Sequence, residues 1–523
     1  MMDDNKQHNW ERYFTQRWFA FGQQDQTPYV RDMILAEGGK IENYAAHNET
    51  FWEVKDNELH FLSLNHEIST VFPLPDNPSA MNGNTLIGTY MFNPSVKHQL
   101  VARNLPESLY ELKKELTDNL NDRFYQATLD VTPAVKKIKT HSRIRVAFII
   151  NSVETLPALL PLMKALQADD DFESKILMLD KFYYNTAVLP TLKEVTAFIA
   201  KQGLTGIPIE QYYDDVLREL RLWQPDFIIR QSQWDGDYPS AFSADRLDWA
   251  RMIHIPYTIT EKMTYAPNQQ TGSMLTNHYY QHIWRYFTAE PLSDNEKQAI
   301  AASFVSEDTF QAVGSMKAKM IEHAKPNWPI NHGGKRILWT AHHSINNGWF
   351  KFGTLPKIYQ SMLAWTKAHQ ELSVLFNPHP LLREVIATEP TDMTLDQYDQ
   401  FLRDFAALPN AGVWEHKPQY QVSAAADVVL TDGYSAFYEM QIQRKPVVAL
   451  LRSDHTAFTP EGKQLLRGLH VRKNIHDAQD AVLRLLRDPD DKRKYQIANT
   501  QTWLINEHPE QKIMQAMRKE MEK

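Results

Sequence analysis

The spacing of apolar and polar positions changes character along the chain, and each change predicts a different kind of structure. Up to about Val101, in "GGKIENYAAHNETFWEVKDNELHFLSLNHEISTVF", apolar residues come in short alternating runs: Phe51, Trp52 and Val54, then Leu59, Phe61 and Leu62, then Ile68, Val71 and Phe72. Side chains alternate across a strand, so this pattern predicts antiparallel strands, with Asp56-Asn57 and Asn65-His66 as turns. From Leu105 to Leu129 the period lengthens to that of a helix, with Leu109, Leu112, Leu116, Leu120 and Phe124 on one stripe. From Ile144 an apolar run (Val146 to Ile150), a polar turn, an amphipathic helix (Leu156 to Leu166) and a second run (Ile176 to Leu179) form a β-α-β unit. That unit opens a parallel sheet.

Further units follow: a helix from Asp214 to Leu222 feeds the strand "DFIIRQ", and "RMIHIPYTI" is another buried strand. The Pro/Asn/Gly-rich "KPNWPINHGGK" reads as an interdomain linker, and a second series begins behind it. Strand "RILWTA" leads to the loop "HHSINNGWF" and a helix from Leu355 to His369; "LSVLFNPHP", "DVVLTDG" and "PVVALL" are further strands, and a last helix starts near Ala478. The expected fold is α/β, two Rossmann-like domains facing a cleft in the GT-B layout, with a small β-rich module in front. The expected division is a β-rich accessory module over 1–101, a helical linker over 102–140, an acceptor domain over 141–328, and a nucleotide donor domain with terminal helices over 329–523.

Composition narrows the function. At 523 residues the chain is long enough for about three domains, and 43% hydrophobic with 23% charged residues is an ordinary globular balance. A net charge of -8 gives no general attraction to phosphate backbones, so no nucleic-acid partner is expected. The absence of cysteine excludes disulfides and thiolate chemistry and fits a reducing compartment. Met1 to Arg17 has no secretory pattern and no run reaches the length of a spanning helix, so a cytoplasmic protein is expected. The basic "VKKIKTHSRIR" either touches the inner membrane face peripherally or is a solvated linker.

Candidate chemistry sits at the strand ends, where open parallel sheets place their ligands. In "AADVVLTDGYSAFYEM" a strand ends at Thr431-Asp432, Gly433 allows a tight turn, and Ser435 opens a helix. Free backbone N–H groups there suit a diphosphate, with Ser435 adding a hydroxyl and Glu439 accepting from ribose; the alternative is that Ser435 is a helix cap and Glu439 a surface charge. In "LFNPHPLLRE" the strand ends at Asn377, and His379 between two prolines can hold a phosphate oxygen or the departing nucleotide. His342, His343 and Ser344 form a third tip; adjacent histidines on an extended segment should point to opposite faces, so no metal site is expected. The acidic "DDDFE" and "DPDD" read as solvated loops. For a general base the other domain offers Asp235, Asp237 and His254; Asp235 leads, because His254 lies in an apolar run.

The motifs "ILWTAHHSI", "FNPHPLL", "ADVVLTDGYSAFYEMQIQRKPVVAL", "QPDFIIRQSQWDGDYP" and "HIPYTI" together resemble the CDP-glycerol glycerophosphotransferase family, the teichoic-acid polymerase-like GT-B enzymes. The resemblance covers about Arg143 to Arg472. It implies that His379, Asp432, Gly433 and Ser435 hold the donor pyrophosphate. The chain has one serine where that family often has a pair, and it lacks the Trp-His-Gly motif carrying the presumed base. The implied activity is transfer of a glycerophosphate or sugar-like group from a cytidine-nucleotide donor to a hydroxyl of a glycan or surface-polymer acceptor, without metal or other cofactor. The alternatives are a nucleotide-sugar epimerase of similar outline and an inactive glycan-binding scaffold.

Overall fold

The computed structural model describes all residues except 1–3, 27, 43, 45, 47, 79–83, 104–141, 184–186, 266–277, 302, 304, 347–349, 416–418 and 523. The first hundred residues form an eight-stranded antiparallel sheet running from Trp18–Gln23 to Lys97–Arg103. Turns sit where the alternation breaks: Asp56, Asn57 and His66 all take positive φ. The two edges of the sheet meet, since Lys40 bridges Phe51 and the Trp52 amide donates to the Gly39 carbonyl at 2.8 Å. The sheet is therefore a near-barrel. A helix over Asp4–Thr15, which the strand pattern does not predict, closes one end with buried Trp10 and Phe14, Phe14 packing on Phe19 and Trp52. The helices expected from Leu105 to Leu129, and most of the basic segment, lie outside the described residues.

Two parallel sheets follow, and together they make a GT-B-like architecture. The first contains, in chain order, β1 (Ile144–Ile150), β2 (Phe172–Leu179), β3 (Ile207–Ile209), β4 (Phe227–Arg230), β5 (Arg251–His254), β6 (Ile283–Thr288) and β7 (Phe310–Ala312), arranged 3-2-1-4-5-6-7. The second contains β8 (Lys335–Ala341), β9 (Leu372–Pro378), β10 (Ala411–Val413), β11 (Val428–Thr431), β12 (Val447–Leu450) and β13 (His470–Arg472), with β8 and β11 central and the equivalent order. Helices cover both faces, which is why the central strands are apolar on both sides: Val146 to Ile150 and Val428 to Leu430 are buried throughout. In each sheet the order reverses between its first and fourth strands. The crevice at that switch point, past the carboxyl ends of β1 and β4 or of β8 and β11, is where such sheets hold ligands.

Several contacts join the halves. A short helix, α1 (Met316–Glu322), buries Ala318 and Ile321 in the core of the second half. The segment after β5 docks on the other domain: Thr264 bridges Phe458, and the Thr459 amide donates to the Met263 carbonyl at 3.2 Å. The C-terminal helix, α2 (Pro509–Met521), returns to the first domain, burying Ile513, Met514 and Met517 against it and pairing Arg518 with Asp169 and Asp171. The acidic "DDDFE" run is thus partly a docking point for that helix. Among the described residues no helix is long and apolar enough to cross a membrane.

Candidate functional site

At the switch point of the second sheet three imidazoles converge. His342 leaves the end of β8 and His379 the end of β9, and nitrogens of His342, His343 and His379 all lie within 4.8 Å of one another. The expectation that His342 and His343 face opposite ways is corrected here: β8 ends at Ala341, so the alternation of a strand no longer applies, and their rings stand 4.4 Å apart. Backbone amides set the tautomers. The Ser344 N–H donates to His342 Nδ1 at 3.2 Å, and the Leu381 N–H donates to His379 Nδ1 at 3.1 Å. An Nδ1 that accepts carries no proton, so in the neutral ring Nε2 carries it. Burial first, then the neighbouring histidines, holds His342 and His379 well below the ordinary histidine range; His343 is held at about 4 by burial and then by Lys181.

Two neutral rings with Nε2–H donors suit an anionic oxygen. They do not suit a divalent metal, which would need an unprotonated Nε2 while Nδ1 donates. The cluster is geometrically close enough for a metal, and its hydrogen bonds argue for the anion. The Nδ1 of His343 is buried and has no hydrogen-bond partner among the described residues.

The rest of the expected donor site braces these rings or surrounds them. Asp432 accepts from the His342 amide at 2.7 Å and, on its other oxygen, from the Thr354 amide and hydroxyl at 2.6 and 2.7 Å. It therefore locks the ends of β8 and β11 together, and burial raises its carboxyl to about 6 against those hydrogen bonds. Ser344 ties His342 to the Phe352 amide. Asn377 donates to the Trp414 carbonyl at 2.5 Å. Gly433 has its amide on the Thr431 hydroxyl at 2.8 Å, and a Cβ there would press on that hydroxyl and touch Ala436 and Thr340. Half-buried Ser435 stands before the helix Ala436–Ile442 and makes no side-chain capping bond, so its hydroxyl is not spent on the helix. Glu439 is not a surface charge: it is 2% exposed, its Oε1 lies 2.5 Å from Lys317 Nζ, and its Oε2 accepts from Gln419. A ribose would have to compete with Gln419 for it.

The facing wall belongs to the first domain. Lys181, just past β2, is close enough for its charge to act on His343 and His379, and its ammonium lies 3.6 Å from Asp237. Asp237 also accepts from Ser232 at 2.9 Å. Asp235 is pinned instead: its Oδ1 takes Arg230, which is fully buried, and the Ala244 amide at 3.0 Å. His254 is 0% exposed among Tyr279, Tyr280 and Tyr286, and burial lowers it to about 3. Glu261, past β5, accepts from Gln233 at 3.1 Å and from Tyr280 at 3.2 Å, and burial raises its carboxyl to about 7. Its charge also acts on Tyr434, in the turn after β11, which places it near the donor wall. Lys181 and Glu261 were missed in the sequence, although each follows a strand end.

No protein-family model matches the sequence, and neither does any curated protein. Solved structures do resemble the fold. The S. aureus MnaA structure with UDP has a TM-score of 0.50 at 13% identity, covering 72% of this chain and 97% of that one. The UDP-GlcNAc 2-epimerase from Neisseria meningitidis bound to UDP-GlcNAc has a TM-score of 0.47 at 13% identity, covering 72% of this chain and 100% of that one. A variant of the wall teichoic acid polymerase TagF has a TM-score of 0.49 at 9% identity, covering 80% of this chain and 98% of that one. At such identities the MnaA likeness shows the GT-B-like fold alone.

Proposed function

We propose that the chain is a metal-independent transferase that takes a glycerophosphate or sugar-like group from a cytidine-nucleotide donor and passes it to a hydroxyl of a glycan or surface-polymer acceptor. The observation that carries this reading is the set of neutral histidines at the switch point, with Lys181 facing them from the other domain. Nε2–H of His342 and His379 would hold the donor phosphates, with Gly433 and Ser435 beside them and Lys181 adding positive charge from across the cleft. As the acceptor oxygen bonds to the phosphorus or anomeric carbon, the bond to the nucleotide phosphate breaks and CMP leaves with the electron pair. Fixed donors aimed at that phosphate stabilise the charge it gains.

The acceptor's proton must go to a base. Asp235 is engaged by Arg230 and the Ala244 amide, so the role passes to Glu261, whose raised carboxyl is matched to proton transfer near neutral pH. A second reading is a nucleotide-sugar epimerase working on a uridine donor. On its side stands the fact that MnaA, which shares the fold, was solved with UDP. The two separate in a turnover assay. Transfer requires an acceptor and releases CMP, whereas an epimerase changes its nucleotide-sugar with no acceptor present; turnover of UDP-GlcNAc alone would reject the transferase reading.

A further inference from the structure

The end of the N-terminal near-barrel away from its closing helix carries an acid that has no hydrogen-bond partner among the described residues. Along strand Trp18–Gln23, Phe19 meets the helix, while Phe21, two residues on, meets Tyr29, Tyr44 and His98 with ring centroids 5.9, 5.6 and 5.0 Å away. Tyr90 lies 4.8 Å from His98 by the same measure and accepts from the Asn48 amide at 2.8 Å. Tyr29, Asn48 and Tyr90 are half-buried, and Tyr44 and His98 are buried beneath them. Glu49 is 5% exposed and makes no hydrogen bond with any described residue. Its carboxyl is close enough to raise the phenols of Tyr29, Tyr44 and Tyr90, after the effect of their own burial. A buried carboxyl without a partner is costly, and a core built only for stability has no use for one.

We infer that this mouth of the near-barrel is a binding site for a neutral oligosaccharide, with Glu49 bonding a sugar hydroxyl and Tyr29 and Tyr90 packing on the ring faces. The chemistry matches an uncharged ligand. Burial raises Glu49 to about 8 and lowers His98 to about 4, so at neutral pH the mouth presents a protonated acid, a neutral imidazole and phenols. The near-barrel's own groups there offer donors and acceptors among aromatic faces without net charge, as a polyhydroxylated ring with apolar faces requires. The mouth also lies beside the first α/β domain, since Asp245 and Asp235 act on Tyr29. They flank Asp237, which faces Lys181. A glycan held in the mouth would run over that loop toward the histidines. Its role as the acceptor rests on the transferase reading; the binding site does not.

The test is retention of the full-length chain on a broad array of immobilised neutral, acidic and amine-bearing oligosaccharides, with thermal shift by CDP followed in parallel. Neutral oligosaccharides should be retained, at least tenfold more weakly by Glu49→Leu and severalfold more weakly by Tyr90→Leu, which removes the ring face, with the CDP shift unchanged. His379→Ala should keep the glycan and lose the CDP shift. Retention of no neutral oligosaccharide, retention of acidic or amine-bearing ones alone, or equal retention by Glu49→Leu overturns the site. If Glu49→Leu does not fold, unchanged retention by Tyr90→Leu overturns it instead. Glycan retention without any nucleotide shift would count against the transferase reading and leave the sugar site standing.

Discussion

Replacing Lys317 with methionine should destabilise the protein more than any other single change at the cleft, because it strands Glu439 in the interior. The two side chains are 7% and 2% exposed, and Lys317 Nζ lies 2.5 Å from Glu439 Oε1 while donating to the Tyr257 carbonyl at 2.7 Å. Among the described residues only Gln419, at 3.2 Å, remains to the carboxylate once the ammonium is gone. Removing one partner of a buried ion pair costs about 3 to 5 kcal/mol, since the survivor keeps its desolvation penalty and loses the compensating charge. For a domain of this size each kcal/mol moves the melting temperature by roughly 2 to 4 °C, so a fall of roughly 6 to 20 °C is expected. Lys317→Met with Glu439→Leu removes both charges and should recover most of that loss. The assay is urea unfolding of the full-length chain followed by tryptophan fluorescence, with melting as a second probe. A Lys317→Met variant within about 1 kcal/mol of the parent would refute the pairing.

Glu49 and Glu261 make stability depend on pH in a stated direction. Each has a folded carboxyl raised above the ordinary value of 4.5, to about 8 and about 7. The folded chain therefore holds a proton that the unfolded chain releases, and stability falls by about 1.4 kcal/mol per pH unit for each group as pH rises from 4.5 to its folded value. Unfolding at pH 5 and pH 8 should show Glu49→Gln flattening that fall. In turnover, activity should rise with pH through about 7, as Glu261 ionises, and Glu261→Gln should lose roughly a hundredfold to ten-thousandfold with the ascending limb abolished; an unchanged profile rejects it as the base. Gly462→Ala should loosen the docked segment after β5, because its Cβ would come 2.0 Å from the Met263 carbonyl oxygen; faster amide exchange over residues 457–462 and a loss of about 1 to 3 kcal/mol would report it. Treatment with EDTA should leave transfer unchanged, and calorimetry with Zn²⁺ should show no site at His342, His343 and His379; activity lost to EDTA and restored by Mg²⁺ would contradict the metal-free reading.

The parallel sheets were legible because their central strands are buried on both faces and so run apolar without a break, as in Val146 to Ile150 and Val428 to Leu430. The strand ends that follow, at His342, His379 and Asp432, could be placed from the same runs. What was hidden depended on distant packing. The helix Asp4–Thr15 is mostly polar, and its apolar residues Trp10, Tyr13 and Phe14, at helical spacing, make a stripe of only one turn near one end, too short to announce it. Asp235 looked available at a strand tip, but Arg230, a cation inside the apolar strand "DFIIRQ", already claims it. That buried arginine was a readable sign that a carboxylate nearby was spoken for. Glu261 and Lys181 gain their meaning only once the two domains face each other. His342 and His343 converge because the strand ends one residue before them, a boundary that apolar patterning does not resolve.

The central claim is that neutral histidines at the second switch point hold the phosphates of a cytidine nucleotide. The most direct measurement is a thermal-shift titration of the full-length chain and of His379→Ala with CDP, CMP, UDP and GDP. A ligand that binds only the folded chain adds about 2.7 kcal/mol at a hundredfold excess over its Kd. The parent should be stabilised by CDP and CMP more than by UDP or GDP. His379→Ala should melt near the parent, since among the described residues its ring makes one hydrogen bond, at 3.1 Å from the Leu381 amide, and should lose most of the CDP shift. A clear preference for UDP or GDP would contradict the cytidine assignment, and a full CDP shift in His379→Ala would contradict the site.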